Sequence, residues 1–230
     1  MPITEILARN AQLYGQDISL VEINPEEQEK HESWKEFDLV ETGLSKYRRE
    51  ITWKEFDEKA NRFANLLSSK GLKKGNKVAI LLMNCLEWLP IYFGILKIGA
   101  IVVPLNYRYA ADEIKYCLGL SESDAIIFGP EFIERVDVIK NDIPQVKHKF
   151  YVGENCPAFA EGYEELTKDM STLAPDLKLC DEDDAALYFS SGTTGFPKAI
   201  LHTHNSLMSA TRTENNHHGQ TRDDCFLCIP

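Results

Sequence analysis

The chain has 230 residues, 43% of them hydrophobic and 27% charged, with a formal net charge of −11 at pH 7. That length and apolar content support one large domain or two small ones around a buried core, and exclude a disordered chain. The acidic balance argues against a nucleic-acid partner, whose backbone is held by clustered Lys and Arg, but not against a phosphorylated small molecule, which needs only a local positive field.

The first residues, MPITEILARNAQLYG, place Ile3, Ile6 and Leu7 at helical spacing and lack the basic-then-apolar pattern of a signal peptide. Residues 24–50 are charge-rich with sparse apolar anchors, which reads as a surface excursion between two strands, with Trp34 packed on the domain's edge. Thr52 followed by Glu55 is a capping box, and Trp53, Phe56, Ala60, Phe63 and Leu67 form a helical stripe that Gly71 ends. Lys73, Lys74 and Lys77 read as a solvated basic turn before VAILLM (78–83), an apolar run suited to a strand buried on both faces.

Residues 88–105 (WLPIYFGILKIGAIVVPL) carry one charge, Lys97, over a length close to the roughly 18 residues of a spanning helix. Pro90, Gly94, Gly99 and Pro104 interrupt the run, and its second part is β-branched. It therefore reads as a buried helix (87–98) feeding a buried strand (101–105), with no transmembrane segment. A helix over 111–118 precedes AIIF (125–128), and another over 131–140 precedes KFYVG (149–153). This rhythm predicts a doubly wound α/β fold, a mostly parallel sheet with helices on both faces. Residues 154–184, acidic and holding Pro157 and Pro175, read as a linker with one short helix over 163–168. Six cysteines lie in apolar segments of a chain too large to need staples, so reduced thiols and a cytoplasmic setting are expected.

The stretch YFSSGTTGFPK (188–198) lies between apolar runs, 185–189 and 199–201, giving strand, polar loop, strand. Gly192 and Gly195 permit positive φ and let backbone N–H groups approach an anion closely. The hydroxyls of Ser190, Ser191, Thr193 and Thr194 can donate to phosphate oxygens, Lys198 adds a charge, and Pro197 stiffens the approach to it. The pattern differs from the Walker loop, which has four residues between its glycines and ends Gly-Lys-Ser/Thr. A plain hairpin turn with an exposed lysine is the simpler alternative.

The whole segment closely resembles the phosphate-binding signature of the adenylate-forming enzymes: acyl-CoA synthetases, luciferases and nonribosomal peptide synthetase adenylation domains. ITWKEFDEKANRFANLLSSKGLKKGNKVAILLMN, EWLPIYFGILKIGAIVVPLNYRYAADEIKYCL and Thr203-His204 resemble neighbouring family segments, so the likeness covers about residues 45–230. LNYRY is most similar to acyl-CoA synthetases for fatty or aromatic acids, and Ala199 stands where the family usually has Gly.

The resemblance implies ATP, Mg2+, coenzyme A and a small-molecule carboxylic acid as reactants. A carboxylate attacks the α-phosphorus, pyrophosphate leaves, and a thiol displaces AMP. Ser190, Ser191, Gly192, Thr193, Thr194, Gly195 and Lys198 would grip the β- and γ-phosphates, and no residue of this chain would be catalytic or hold metal. Family chains are more than twice as long, which implies that the acid pocket, adenine contacts, magnesium glutamate, ribose aspartate, hinge and catalytic lysine lie beyond Pro230. The 230 residues alone are then expected to be inactive, and an unpaired sheet edge to favour a homodimer or other self-association. Alternatives are a non-catalytic nucleotide- or partner-binding fragment, an adenylate-forming enzyme with another acceptor, and an unrelated phosphatase or NTPase.

Three units are expected: 1–50, a helix, a strand and the excursion; 51–184, an α/β subdomain; and 185–230, the loop hairpin with a following helix and strand, opening a second subdomain. Within the last, His204 is expected to orient the loop or start the helix, with Asn205 or Ser206 as cap, and Arg212 to be solvated. Cys225 and Cys228 with His217-His218 resemble half a zinc site. The run CFLCIP reads instead as a buried strand in which Cys acts as a small hydrophobe.

Overall fold

The computed structural model describes residues 1–23, 48–190, 197–221 and 223–227. Helix α1 (Ile3–Leu13) buries Leu7, and β1 (Ile18–Ile23) pairs antiparallel with β2 (Arg48–Thr52). The two strands flanking the charged excursion are thus each other's partners. Trp34 and the rest of 24–47 lie outside the described residues.

The capping box forms as the sequence predicts. Thr52 Oγ1 accepts from the Glu55 amide at 3.2 Å and the Glu55 carboxylate accepts from the Thr52 amide at 2.8 Å, starting α2 (Trp53–Ser69). Past its end, Gly71 takes φ +85°, which a side chain would oppose. The order then runs β3 (Lys77–Leu81), α3 (Trp88–Lys97), β4 (Ile101–Pro104), α4 (Ala111–Ser121), β5 (Ala125–Phe128), a 3-10 turn into α5 (Ile133–Ile139), and β6 (His148–Tyr151). After these come β7 (Glu161–Gly162), α6 (Tyr163–Thr167), β8 (Asp184–Ser190), β9 (Lys198–Thr203) and α7 (His204–His218).

Among the described residues seven strands make one sheet, ordered β7-β6-β5-β3-β4-β8-β9. Every pair is parallel except β8–β9. The central strands β3 and β5 are buried on both faces, as their unbroken apolar runs require. Phe63, Leu67, Ile91 and Ile95 of α2 and α3 fill one core, while Ile114, Leu118 and Val136 of α4 and α5 fill the other. This is the doubly wound α/β arrangement. Gly94 lets α3 lie against α2, since a Cβ there would sit 2.9 Å from the Ala60 carbonyl oxygen.

The apolar stretch 88–105 divides into the buried α3 and β4, and among the described residues no helix is long and apolar enough to cross a membrane. Three sequence readings are corrected. Residues 154–184 are not a loose linker: they add β7 to the sheet and are tied down by α2. Asn61 Nδ2 donates to the Thr172 carbonyl at 2.8 Å, Arg62 Nη1 to that of Met170 at 2.7 Å, and Asn65 Nδ2 to those of Ser171 and Leu173 at 2.9 Å. The basic turn is not merely solvated, because Lys74 pairs with Asp183 at 2.7 Å and Lys77 with Glu122 at 3.4 Å. In the run CFLCIP, Cys225 is exposed, and Phe226 and Leu227 are 75% and 77% exposed rather than in a buried strand. An apolar run becomes a strand only beside another, and no described strand neighbours this one.

Candidate functional site

The polar loop is carried by the β8–β9 hairpin. Its register opposes Ser190 to Lys198, Tyr188 to Ile200 and Ala186 to His202. Opposed residues in an antiparallel pair share a face, so Lys198, Ser190, Tyr188 and His202 belong to the same side of the hairpin. Ser190 is thus the last residue of β8 and Lys198 the first of β9, the two ends of the predicted site brought together across the ladder. Ser191, Gly192, Thr193, Thr194 and Gly195 lie outside the described residues.

Pro197 is buried, while Lys198 is exposed and has no ion pair among the described residues. A free ammonium beside a hydroxyl at the mouth of a loop is suited to an anion. On the opposite face, Leu187 is buried and Phe189 packs on the second core, fixing β8 from below. A cleft of about 340 Å³ between α2 and α6, lined by Glu58, Lys59, Tyr163 and Glu164 among others, shares no residue with the hairpin.

Sequence reasoning missed the tyrosine hydroxyl pair behind the loop. Tyr188 and Tyr92 of α3 meet at 2.8 Å. The ring of Tyr188 leans on His202 at 5.3 Å, and His202 Nδ1 lies 3.3 Å from Ser206 Oγ. No local pattern could reveal a contact between residues 96 positions apart.

His204 is the first residue of α7, as expected, but the cap is Thr203, whose Oγ1 accepts from the Ser206 amide at 3.2 Å, not Asn205 or Ser206. A cap must precede the helix, and Asn205 and Ser206 already lie inside it. The His204 ring is fully buried and neither nitrogen has a hydrogen-bond partner among the described residues, while its amide donates to the Asp183 carbonyl at 3.0 Å. Burial lowers its pKa from the ordinary 6.5, against the pull of Asp183 and Asp181 and with the help of Lys74 and the amino terminus. The unfolded chain then binds a proton the folded one refuses, so this group reduces stability as pH falls below 6.5 and costs nothing well above it. Urea unfolding is expected to show a midpoint that drops between pH 7.5 and pH 5.5, with His204→Phe flattening the drop; an unchanged slope in that variant would contradict the assignment.

Among the described residues no group of three or more His, Cys, Asp or Glu side chains converges as metal ligands. The His217 and His218 rings pack edge-on at 5.1 Å, and Arg212 is exposed. Cys228 lies outside the described residues, while Cys85, Cys117, Cys156, Cys180 and Cys225 are free thiols.

Known proteins share this framework. The long-chain-fatty-acid–CoA ligase FadD13 of Mycobacterium tuberculosis is 33% identical over 152 residues, 66% of this chain and 29% of that protein. The crotonobetaine/carnitine–CoA ligase of Salmonella paratyphi B is 36% identical over 159 residues, 67% of this chain and 31% of its own length. The crystal structure of the anthranilate CoA ligase AuaEII in complex with anthranoyl-AMP superposes with a TM-score of 0.75 at 26% identity, covering 89% of this chain and 35% of that one. The chain therefore spans about a third of the length of the relatives it matches. The family model of the AMP-binding enzymes matches residues 28–230, from the charged excursion through the hairpin and beyond, and the chain belongs to that family.

Proposed function

We propose that the β8–β9 hairpin grips the β- and γ-phosphates of Mg·ATP, and that the chain is the phosphate-holding part of an ATP-dependent acyl-CoA synthetase, an AMP-forming acid–thiol ligase. The observation that carries this is the register that opposes Ser190 to Lys198, which is exposed and has no ion pair among the described residues, at the two ends of SSGTTGFPK. Ser190, Ser191, Thr193 and Thr194 would donate through hydroxyls, and Gly192 and Gly195 would let backbone N–H groups approach. In the first half-reaction a carboxylate oxygen bonds to the α-phosphorus as the bond to pyrophosphate breaks. Lys198 would stabilise the charge gathering on that leaving group. In the second, the coenzyme A thiol bonds to the acyl carbon, AMP departs and the thiol proton is released.

None of the residues assigned here is a nucleophile or general base. Magnesium enters this reading as the nucleotide's counter-ion. The acid, fatty or aromatic in this reading, would be bound by parts not assigned here, with 185–230 opening a second subdomain beside 1–50 and 51–184. The purified 230-residue chain is expected to bind ATP while showing no carboxylate-dependent ATP–pyrophosphate exchange; robust exchange would make it a complete adenylating enzyme.

Self-association belongs to the same proposal. Among the described residues β9 is one of the two outer strands of the sheet, with Ile200 46% and Leu201 51% exposed, and such an edge is a template for a second copy. Light scattering is expected to give a dimeric mass at micromolar concentration. A monomeric mass up to high concentration would remove this part of the proposal.

A further inference from the structure

The sheet holds the hairpin less firmly than its seven-residue strand suggests. The parallel pairing of β4 with β8 registers at Val102 and Ala186, and β4 ends at Pro104, which has no amide hydrogen to give. From Ala186 onward β8 runs four residues to Ser190 in register with β9, itself an outer strand, and with no further β4 register among the described residues. Side-chain contacts to the core therefore add to what fixes the loop's base.

On the face shared with Ser190 and Lys198, a hydrogen bond reaches back into the core, the 2.8 Å contact between the hydroxyls of Tyr92 and Tyr188. Tyr92 is 6% exposed and held by stacking on Trp88 at 5.4 Å and by the tilted ring of Phe93 at 5.9 Å. Burial raises the Tyr92 pKa, and either hydroxyl of the pair can donate to the other. Tyr188 lies two residues before Ser190, on the same side of the strand, and its ring rests on His202 of β9, which meets Ser206 of α7. A single hydroxyl pair thus connects the buried helix α3 to both strands of the hairpin and to the helix that follows.

We propose that Tyr92, acting through Tyr188, is a positioning residue for Ser190 and Lys198, setting how the base of the loop presents its hydroxyl and ammonium to a polyphosphate. The inference rests on the phosphate-grip reading above. A tilt of the hairpin that broke the contact would leave a buried hydroxyl unpaired, so the tethered geometry is favoured over its neighbours.

The test uses the purified 230-residue chain, inorganic pyrophosphate as the probe, calorimetric affinity, and urea unfolding as the second readout. Tyr92→Phe and Tyr188→Phe are each expected to weaken pyrophosphate binding about fivefold to tenfold, and Tyr188→Phe to lower the unfolding midpoint the more, because it strands the hydroxyl of the buried Tyr92 whereas Tyr188 is only half-buried. The double variant Tyr92→Phe/Tyr188→Phe separates positioning from packing, since two apolar rings leave nothing unpaired. Its midpoint is expected to recover while its pyrophosphate affinity stays low. A double variant that binds pyrophosphate as the unmodified chain does would overturn the inference. If all three tyrosine variants bind normally while Lys198→Ala does not, the tether falls and the phosphate grip stands. If the unmodified chain binds no pyrophosphate, or Lys198→Ala binds it unchanged, the grip itself falls and the tether with it.

Discussion

Replacing Lys198 with alanine is expected to weaken pyrophosphate binding about tenfold to a hundredfold with the fold intact. Lys198 opens β9 opposite Ser190, is exposed, and has no carboxylate partner among the described residues, so its charge is available to a ligand. A hydrogen bond to a charged group contributes about 1.5–3 kcal/mol, and each 1.4 kcal/mol is about tenfold in affinity. The loss should fall on pyrophosphate and ATP and spare AMP, which lacks the β- and γ-phosphates. Stability should change by no more than about 0.5 kcal/mol, as for other surface substitutions away from buried contacts. Titration calorimetry with the three ligands reads the pattern directly. An equal loss for AMP and pyrophosphate would make Lys198 a general nucleotide contact and remove the grip assignment.

The second large effect is on stability. Lys97→Ala is expected to lower the unfolding free energy by about 3–5 kcal/mol, the usual cost of removing one partner from a buried ion pair. Lys97 is the single charge in the most apolar stretch of the chain and is 7% exposed, on a helix wedged between α2 and the sheet. Its ammonium donates to Asp57 Oδ1 at 2.8 Å and Asn61 Oδ1 at 2.7 Å. Asn61 in turn donates to Asp57 Oδ2 at 2.9 Å and to the Thr172 carbonyl at 2.8 Å. One ammonium thereby joins α3, α2 and the segment after α6, and its removal leaves the Asp57 carboxylate without a counter-charge among the described residues. Removing both charges, as in Lys97→Met/Asp57→Leu, should recover much of the loss, because apolar replacements of a buried pair are often neutral. Urea unfolding decides it: a cost for Lys97→Ala below about 1 kcal/mol would mean that the pair behaves like a solvated surface bridge.

Much of the sheet was legible because its chemistry is local. VAIL, IVV and AIIF are unbroken apolar runs, and runs buried on both faces have few other destinations in a chain this size. Thr52 and Glu55 announced α2 by a three-residue spacing that only a helix start uses. Contacts made at long range left no such trace. Asn61, Arg62 and Asn65 dock residues 167–173 through backbone carbonyls, which every residue type possesses, so that segment read as a linker. The two-residue β7 is too short to carry a pattern at all. Tyr92 read as one more ring on an apolar helix, and only the fold brings its hydroxyl to Tyr188. In CFLCIP the composition fits a strand, but its described residues, Cys225 to Leu227, are exposed with no described neighbour to offer a ladder, and 228–230 lie outside the described residues.

At the site the strand–loop–strand pattern was legible, but Ser190 and Lys198 read as part of the loop; the strands reach one residue further into the motif at each end, and their register opposes the two. His204 was read as a helix start, but its complete burial was not foreseeable, because a histidine's neighbours in sequence do not reveal what covers its ring. Thr203 was passed over as the cap because Asn205 and Ser206 are equally good cap formers by composition, and only the helix boundary decides among them.

The phosphate grip is tested most directly by competition at the unmodified chain. ATP labelled on its base would be bound to the 230 residues, and inorganic pyrophosphate and AMP each titrated against it. A loop that holds the β- and γ-phosphates predicts displacement by pyrophosphate at concentrations at least tenfold below those at which AMP displaces, in line with about 1.4 kcal/mol or more of phosphate-specific contact. Displacement by AMP with no effect of pyrophosphate would place the nucleotide's hold elsewhere and contradict the assignment of Ser190 and Lys198 to the leaving group.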